Sequence, residues 1–121
     1  MGLPPDVWGP RLWGALHTLC LTGTITPEFV QEFANVIPCP ACAMHFRDLL
    51  EAYPFEKALD KFEWSVFVHN QVNDRIGKSM MSVEKAREMW SQKSSCTQFD
   101  FKIVFVIIFL VFALVFMYLR K

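Results

Sequence analysis

The sequence predicts an all-α domain followed by one C-terminal transmembrane helix, and three observations carry that prediction. No segment alternates apolar and polar residues for long enough to build a sheet. Proline and glycine cut the first three quarters of the chain into pieces of helix length. An uninterrupted apolar run of 17 residues, Ile103 to Leu119, follows near the end. At 121 residues the chain holds one compact domain at most, and its 53% apolar content is inflated by that run. Lys+Arg and Asp+Glu balance at 12 each, with 9 basic against 12 acidic side chains ahead of Lys102, so no nucleic-acid partner is expected.

The first helix is expected from about Gly9-Pro10 to Leu21, with Trp13, Leu16, His17 and Cys20 at i, i+3, i+4 and i+7 on one face, before a Thr22-Gly23-Thr24 stop. Thr26 reads as the N-cap and Pro27 as the first residue of a second helix that turns Phe29, Val30, Phe33, Ala34 and Ile37 inward and halts before Pro38. A third opens at Cys39-Pro40-Ala41-Cys42 and runs through Phe46, Leu49 and Leu50 to about Tyr53-Pro54. The fourth covers about Asp60 to Ile76, with Phe62, Val66, His69 or Asn70, Asn73 and Ile76 as inward candidates, and Gly77 stops it. A short fifth fits Ser82 as N-cap through Trp90.

The apolar run is expected to anchor the chain in a membrane. As a helix it is about 26 Å long against a hydrocarbon core of roughly 30 Å, and Phe99 and Phe101 are read as extending it while Lys102 snorkels. The division is then a domain over 1–92, a polar linker over 93–102 and an anchor over 103–119, with the domain on the cytosolic side because the N-terminus lacks the pattern of a secretion signal.

Cys39 and Cys42 carry the sharpest chemical signal. Two thiols two residues apart at a helix start can close a small ring and feel the positive end of the helix dipole, which favours the thiolate that attacks and leaves in disulfide exchange. The same spacing also serves a metal, with His45 as third ligand and His17, His69 or Cys96 as fourth. Four Trp and three His in so short a chain, with His69 and Asn73 on one helix face, would also suit a planar aromatic cofactor. Cys20 reads as a buried free thiol, while the sequence assigns no role to Cys96.

Three ordered blocks then resemble one family, the small Erv/ALR-type FAD-dependent sulfhydryl oxidases, in the minimal form encoded by large cytoplasmic DNA viruses. Trp8-Gly9-Pro10-Arg11-Leu12-Trp13-Gly14-Ala15-Leu16-His17 is similar to the first-helix block. Cys39-Pro40-Ala41-Cys42-Ala43-Met44-His45-Phe46 is similar to the CxxC block, and Val68-His69-Asn70-Gln71-Val72-Asn73 through Gly77-Lys78 to the HNxVNxxxGK block.

The resemblance implies a four-helix bundle with a short fifth helix, a homodimer, and FAD held beside the Cys39–Cys42 pair. Carried over residue by residue, Gly9, Arg11, Trp13, His17, His45, His69, Asn70, Val72, Asn73 and Lys78 would line the cofactor site, and Trp90 matches a late Trp of that site. The implied activity takes electrons from a dithiol, in a protein substrate or a small redox carrier protein, through Cys39 and then Cys42 to FAD. Molecular oxygen receives them and yields hydrogen peroxide. At a membrane surface in the host cytoplasm or on a virion, this would make disulfides in partner proteins. Leu21 stands where the family usually has Tyr, Met89 where Arg precedes the late Trp, and no second cysteine pair is present. The rivals are a membrane-anchored zinc adaptor built on Cys39, Cys42 and His45, and a helical scaffold with incidental cysteines.

Overall fold

The computed structural model describes residues 3–91 and 101–120. Every regular element among them is helical: α1 Pro5–Thr22, α2 Pro27–Phe33, α3 Pro40–Ala52, α4 Lys61–Arg75, α5 Val83–Ser91 and α6 Phe101–Leu119, with 3-10 turns at Ala34–Val36 and Phe55–Lys57. α1 begins a turn earlier than expected, because Pro5 takes the N1 place and Pro10 is tolerated inside the helix. The Thr26 hydroxyl accepts the Phe29 N–H, and Asp60 accepts that of Glu63, so α2 and α4 start at side-chain caps. Past the end of α4, Gly77 adopts φ 71° while the Lys78 N–H reaches the Asn73 carbonyl and the Gly77 N–H that of Asp74. That left-handed residue lets the helix end with its last carbonyls satisfied.

α1 packs along α4, and α5 closes over both. Leu16 of α1, Phe62, Ser65 and Val68 of α4 and Val30 of α2 are the largest fully buried side chains. Phe29 and Ile76 do not point inward as expected: they are 46% and 56% exposed. Phe29 lies beside the Val30 and Phe33 face of a helix of only seven residues, and Ile76 lies beyond the last turn of α4.

α6 forms over the apolar run, but among the described residues no helix is long and apolar enough to cross a membrane. The uncharged stretch of 17 residues spans about 26 Å at the α-helical rise, short of a core of roughly 30 Å. The fold class is corrected accordingly: the transmembrane helix over 103–119, the single-pass membrane anchor and the cytosolic orientation inferred from it are withdrawn. Of the expected linker over 93–102, Phe101 and Lys102 instead begin α6, while residues 93–100, with Cys96 and with Phe99 as an extension of the helix, lie outside the described residues.

Asp60 also joins α4 to α5 by receiving Arg87 at 2.8 Å, while the Arg87 guanidinium lies over the Phe62 ring. The Glu63 N–H, and then Arg87, hold the Asp60 carboxyl below its ordinary value of 3.8 against the opposing effect of partial burial. A depressed folded-state value means that the stabilisation is full above the ordinary value and is lost as pH falls through the folded one. Asp60→Ala is therefore expected to cost about 1 kcal/mol in urea unfolding at neutral pH. The gap from the parent should close on acidification; a gap unchanged near pH 2 would place its origin elsewhere.

Candidate active site

Cys39 and Cys42 are joined in a disulfide, with Cα atoms 5.2 Å apart. Cys39 is the N-cap of α3, in an extended conformation, and its sulfur accepts the Cys42 backbone N–H at 3.2 Å. Pro40 at the first helical position gives up no hydrogen bond and fixes the turn between the two cysteines. On reduction, charge on either sulfur would sit at the positive end of a helix of 13 residues. Cys42 and Phe46 share a face at i, i+4, and Phe46 packs edge-on against Trp13, with ring centres 6.2 Å apart.

Through that contact α3 meets an aromatic cluster. Trp13 of α1 stacks on His69 of α4 at 4.1 Å with an 8° interplanar angle, and on His17 at 5.9 Å. Trp90 of α5 closes on His17 at 5.5 Å. A Cβ on Gly14 would stand 3.0 Å from the Trp90 ring, so the absence of a side chain there is what admits the indole.

The two imidazoles are tied together inside this cluster. His17 Nε2 lies 2.9 Å from His69 Nδ1, and His17 Nδ1 lies 2.8 Å from the Ser65 hydroxyl. Burial, reinforced by His69, lowers His17 from 6.5 to about 4. Burial, reinforced by Lys78, lowers His69 from 6.5 to about 4 as well. Both rings are therefore neutral at pH 7. Cys20 is the buried free thiol expected, and burial pushes it up to about 11, which leaves it protonated and unreactive.

The other expected site residues divide. Asn70 is engaged with Met81: its NH2 donates to the Met81 carbonyl at 2.8 Å and its oxygen accepts the Met81 N–H at 3.0 Å. Val72 and Asn73 are half-buried at the end of α4, and His45 is half-buried on α3. Lys78 pairs with Asp6 at 3.0 Å on the surface, and Arg11 donates to the Val7 carbonyl. A Cβ on Gly9 would meet open space. The sequence reading missed Ser65 and Gly14 as site residues. Ser65 did leave a signal, lying one helical turn before His69, whereas the approach of Trp90 to Gly14 depends on tertiary packing.

A zinc adaptor finds no support in these donors. Two sulfurs in a disulfide are not thiolate ligands. Among the described residues no three His, Cys, Asp or Glu side chains converge.

The model of the Erv1 / Alr family matches residues 10–91. A "probable FAD-linked sulfhydryl oxidase" of Acanthamoeba polyphaga mimivirus is 29% identical over 100 residues, covering 71% of this chain and 70% of that protein. An "FAD-linked sulfhydryl oxidase" of African swine fever virus is 26% identical over 96 residues, covering 70% of this chain and 81% of the viral protein. A protein of Arabidopsis thaliana with the same description is 30% identical over 101 residues, covering 74% of this chain and 52% of the plant protein. With its disulfide, aromatic cluster and paired histidines all inside the matched segment, the chain belongs to the Erv1 / Alr family.

Proposed function

We propose that this chain is an FAD-dependent thiol oxidase that forms disulfides in protein dithiols or in a small redox carrier protein, with molecular oxygen as final acceptor and hydrogen peroxide as product. The observation that carries this reading is the disulfide at the start of α3, the helix whose Phe46 packs against Trp13 where it stacks on His69. The names of the viral and plant relatives point the same way.

The residues present fit FAD. Trp13, His69 and Trp90 offer flat faces for planar rings, the neutral His69 adds hydrogen bonding without charge, and the buried His17 holds His69 in place. Lys78 and Arg11 bring positive charge suited to a pyrophosphate, and the exposed pair between Lys78 and Asp6 is easily exchanged. Gly9 keeps the backbone of α1 open to close approach. Val72, Asn73 and His45 add half-buried surface, and Asn70 contributes by holding Met81.

Bound FAD supplies a two-electron acceptor for a reduced dithiol and a donor to oxygen. The chain itself manages the sulfur. A substrate thiolate attacks Cys39, which lies outside the helix; the Cys39–Cys42 bond breaks, and Cys42 leaves as a thiolate in the first turn of α3. A second substrate thiolate then attacks the mixed disulfide and releases Cys39, whose sulfur accepts the Cys42 N–H. The substrate departs oxidised, with its two electrons on the Cys39 and Cys42 pair. We extend the reading to a homodimer, in which exposed Phe29 and Val36 are surfaces a partner copy would cover.

The purified chain is expected to be yellow, with a flavin absorption band released on denaturation; a colourless preparation that takes up no FAD would sink the reading. Cys42→Ser should bind FAD and fail to reduce it with dithiol, and retained turnover would remove Cys42 from its role.

Acidification supplies an independent check. His17 and His69 are held at about 4 against an ordinary 6.5, so the unfolded chain binds more protons between those values. The stabilisation is full above the unfolded value and falls as pH drops from 6.5 toward 4. The thermal midpoint should decline through that window with flavin release alongside, and a flat midpoint would show that the imidazoles are not held neutral.

A further inference from the structure

Ser65 has no exposed surface, and its hydroxyl carries a single proton. That proton goes to the Phe62 carbonyl at 2.7 Å. Toward His17 Nδ1, at 2.8 Å, the oxygen can then only accept, so Nδ1 bears the imidazole proton. A neutral His17 with Nδ1 protonated has a bare Nε2, which at 2.9 Å takes the proton of His69 Nδ1. His69 Nε2 is left without a proton, and no side chain among the described residues donates to it.

We propose that Ser65 is a positioning residue of the cofactor site: through a one-way chain of hydrogen bonds it fixes His17 and His69 in single tautomers and keeps His69 Nε2 as an acceptor for an N–H or O–H donor of the cofactor. Stacking on Trp13 cannot do this alone. It holds the plane of the His69 ring but is indifferent to a flip that exchanges the two edges. Only the contact with His17 tells the edges apart, and only Ser65 tells His17 which nitrogen to protonate. Reversed, the chain would present an N–H from His69, which repels a donor.

The use made of the acceptor rests on the oxidase reading; the order of the hydrogen bonds does not. The test is long-range proton–nitrogen correlation on the full chain carrying isotope-labelled histidine, which reports the protonated nitrogen of each ring. The parent should show Nδ1–H on both His17 and His69. Ser65→Ala should move His69 toward the Nε2–H form or a mixture. Flavin fluorescence titration should then show FAD binding weakened by about fivefold, the scale of one net hydrogen bond. Ser65→Thr restores the hydroxyl and should recover both readouts. A parent protonated at Nε2 of His69, or a Ser65→Ala protein with the His69 tautomer unchanged, overturns the proposal. If the added methyl of Ser65→Thr prevents folding in this buried position, the alanine variant alone decides, since its His69 signal either moves or stays. A chain that takes up no FAD would refute the oxidase reading, while the tautomer spectra still decide this one.

Discussion

The contact between His17 and His69 is the constraint around which the domain is arranged. It joins α1 to α4 across 52 residues of chain and lies beneath the Trp13 ring. Apolar ridges alone would let two helices pack in several registers of similar energy. A buried imidazole is less forgiving, because sliding one helix by a turn would strand both His17 nitrogens without partners, at a cost of about 1–3 kcal/mol for each unsatisfied group. The polar chain thus selects one register, and in that register Trp13 meets Phe46 while His17 meets Trp90. Packing and site geometry follow from one set of contacts.

What could be read in the sequence was what local chemistry decides. Thr26-Pro27, Cys39-Pro40, Asp60 and Gly77 each carry a physical instruction to start or stop a helix, and the structure uses all four. The start of α1 was misplaced because Pro5 and Pro10 both suit a first turn, and only the wider fold chooses between them. The apolar run is legible as a helix, but its composition alone overstates it, since among the described residues no helix is long and apolar enough to cross a membrane. Within the site, Trp13, His17 and His69 were visible by spacing and by resemblance. The bond of Asn70 to Met81 is not legible, because sequence spacing does not reveal that partner. Gly14 was passed over for the same reason, since its role exists only once Trp90 is folded against it.

The disulfide is poorly explained as a staple. Bridging residues three apart closes so small a ring that little freedom is removed from the unfolded chain, whereas stabilising bridges gain from long loops. Its position argues for exchange instead. Cys39 caps a helix with its sulfur, and Cys42 lies on the face that Phe46 continues toward Trp13. Both sulfurs thus stand at the start of the helix that carries Phe46 to the aromatic cluster, a position suited to exchange.

One wall of that cluster rests on an element unable to stand alone. α5 has nine residues, below the length at which an isolated helix persists in water. It is held from outside: Asn70 clamps Met81 ahead of it, Arg87 reaches Asp60 and covers Phe62, and Trp90 rests against Gly14. Its own side chains complete the hold: Ala86 is buried in the core that α1 and α4 share, and Val83 and Trp90 pack against it. A nine-residue helix thus persists through tertiary contact rather than through its own propensity.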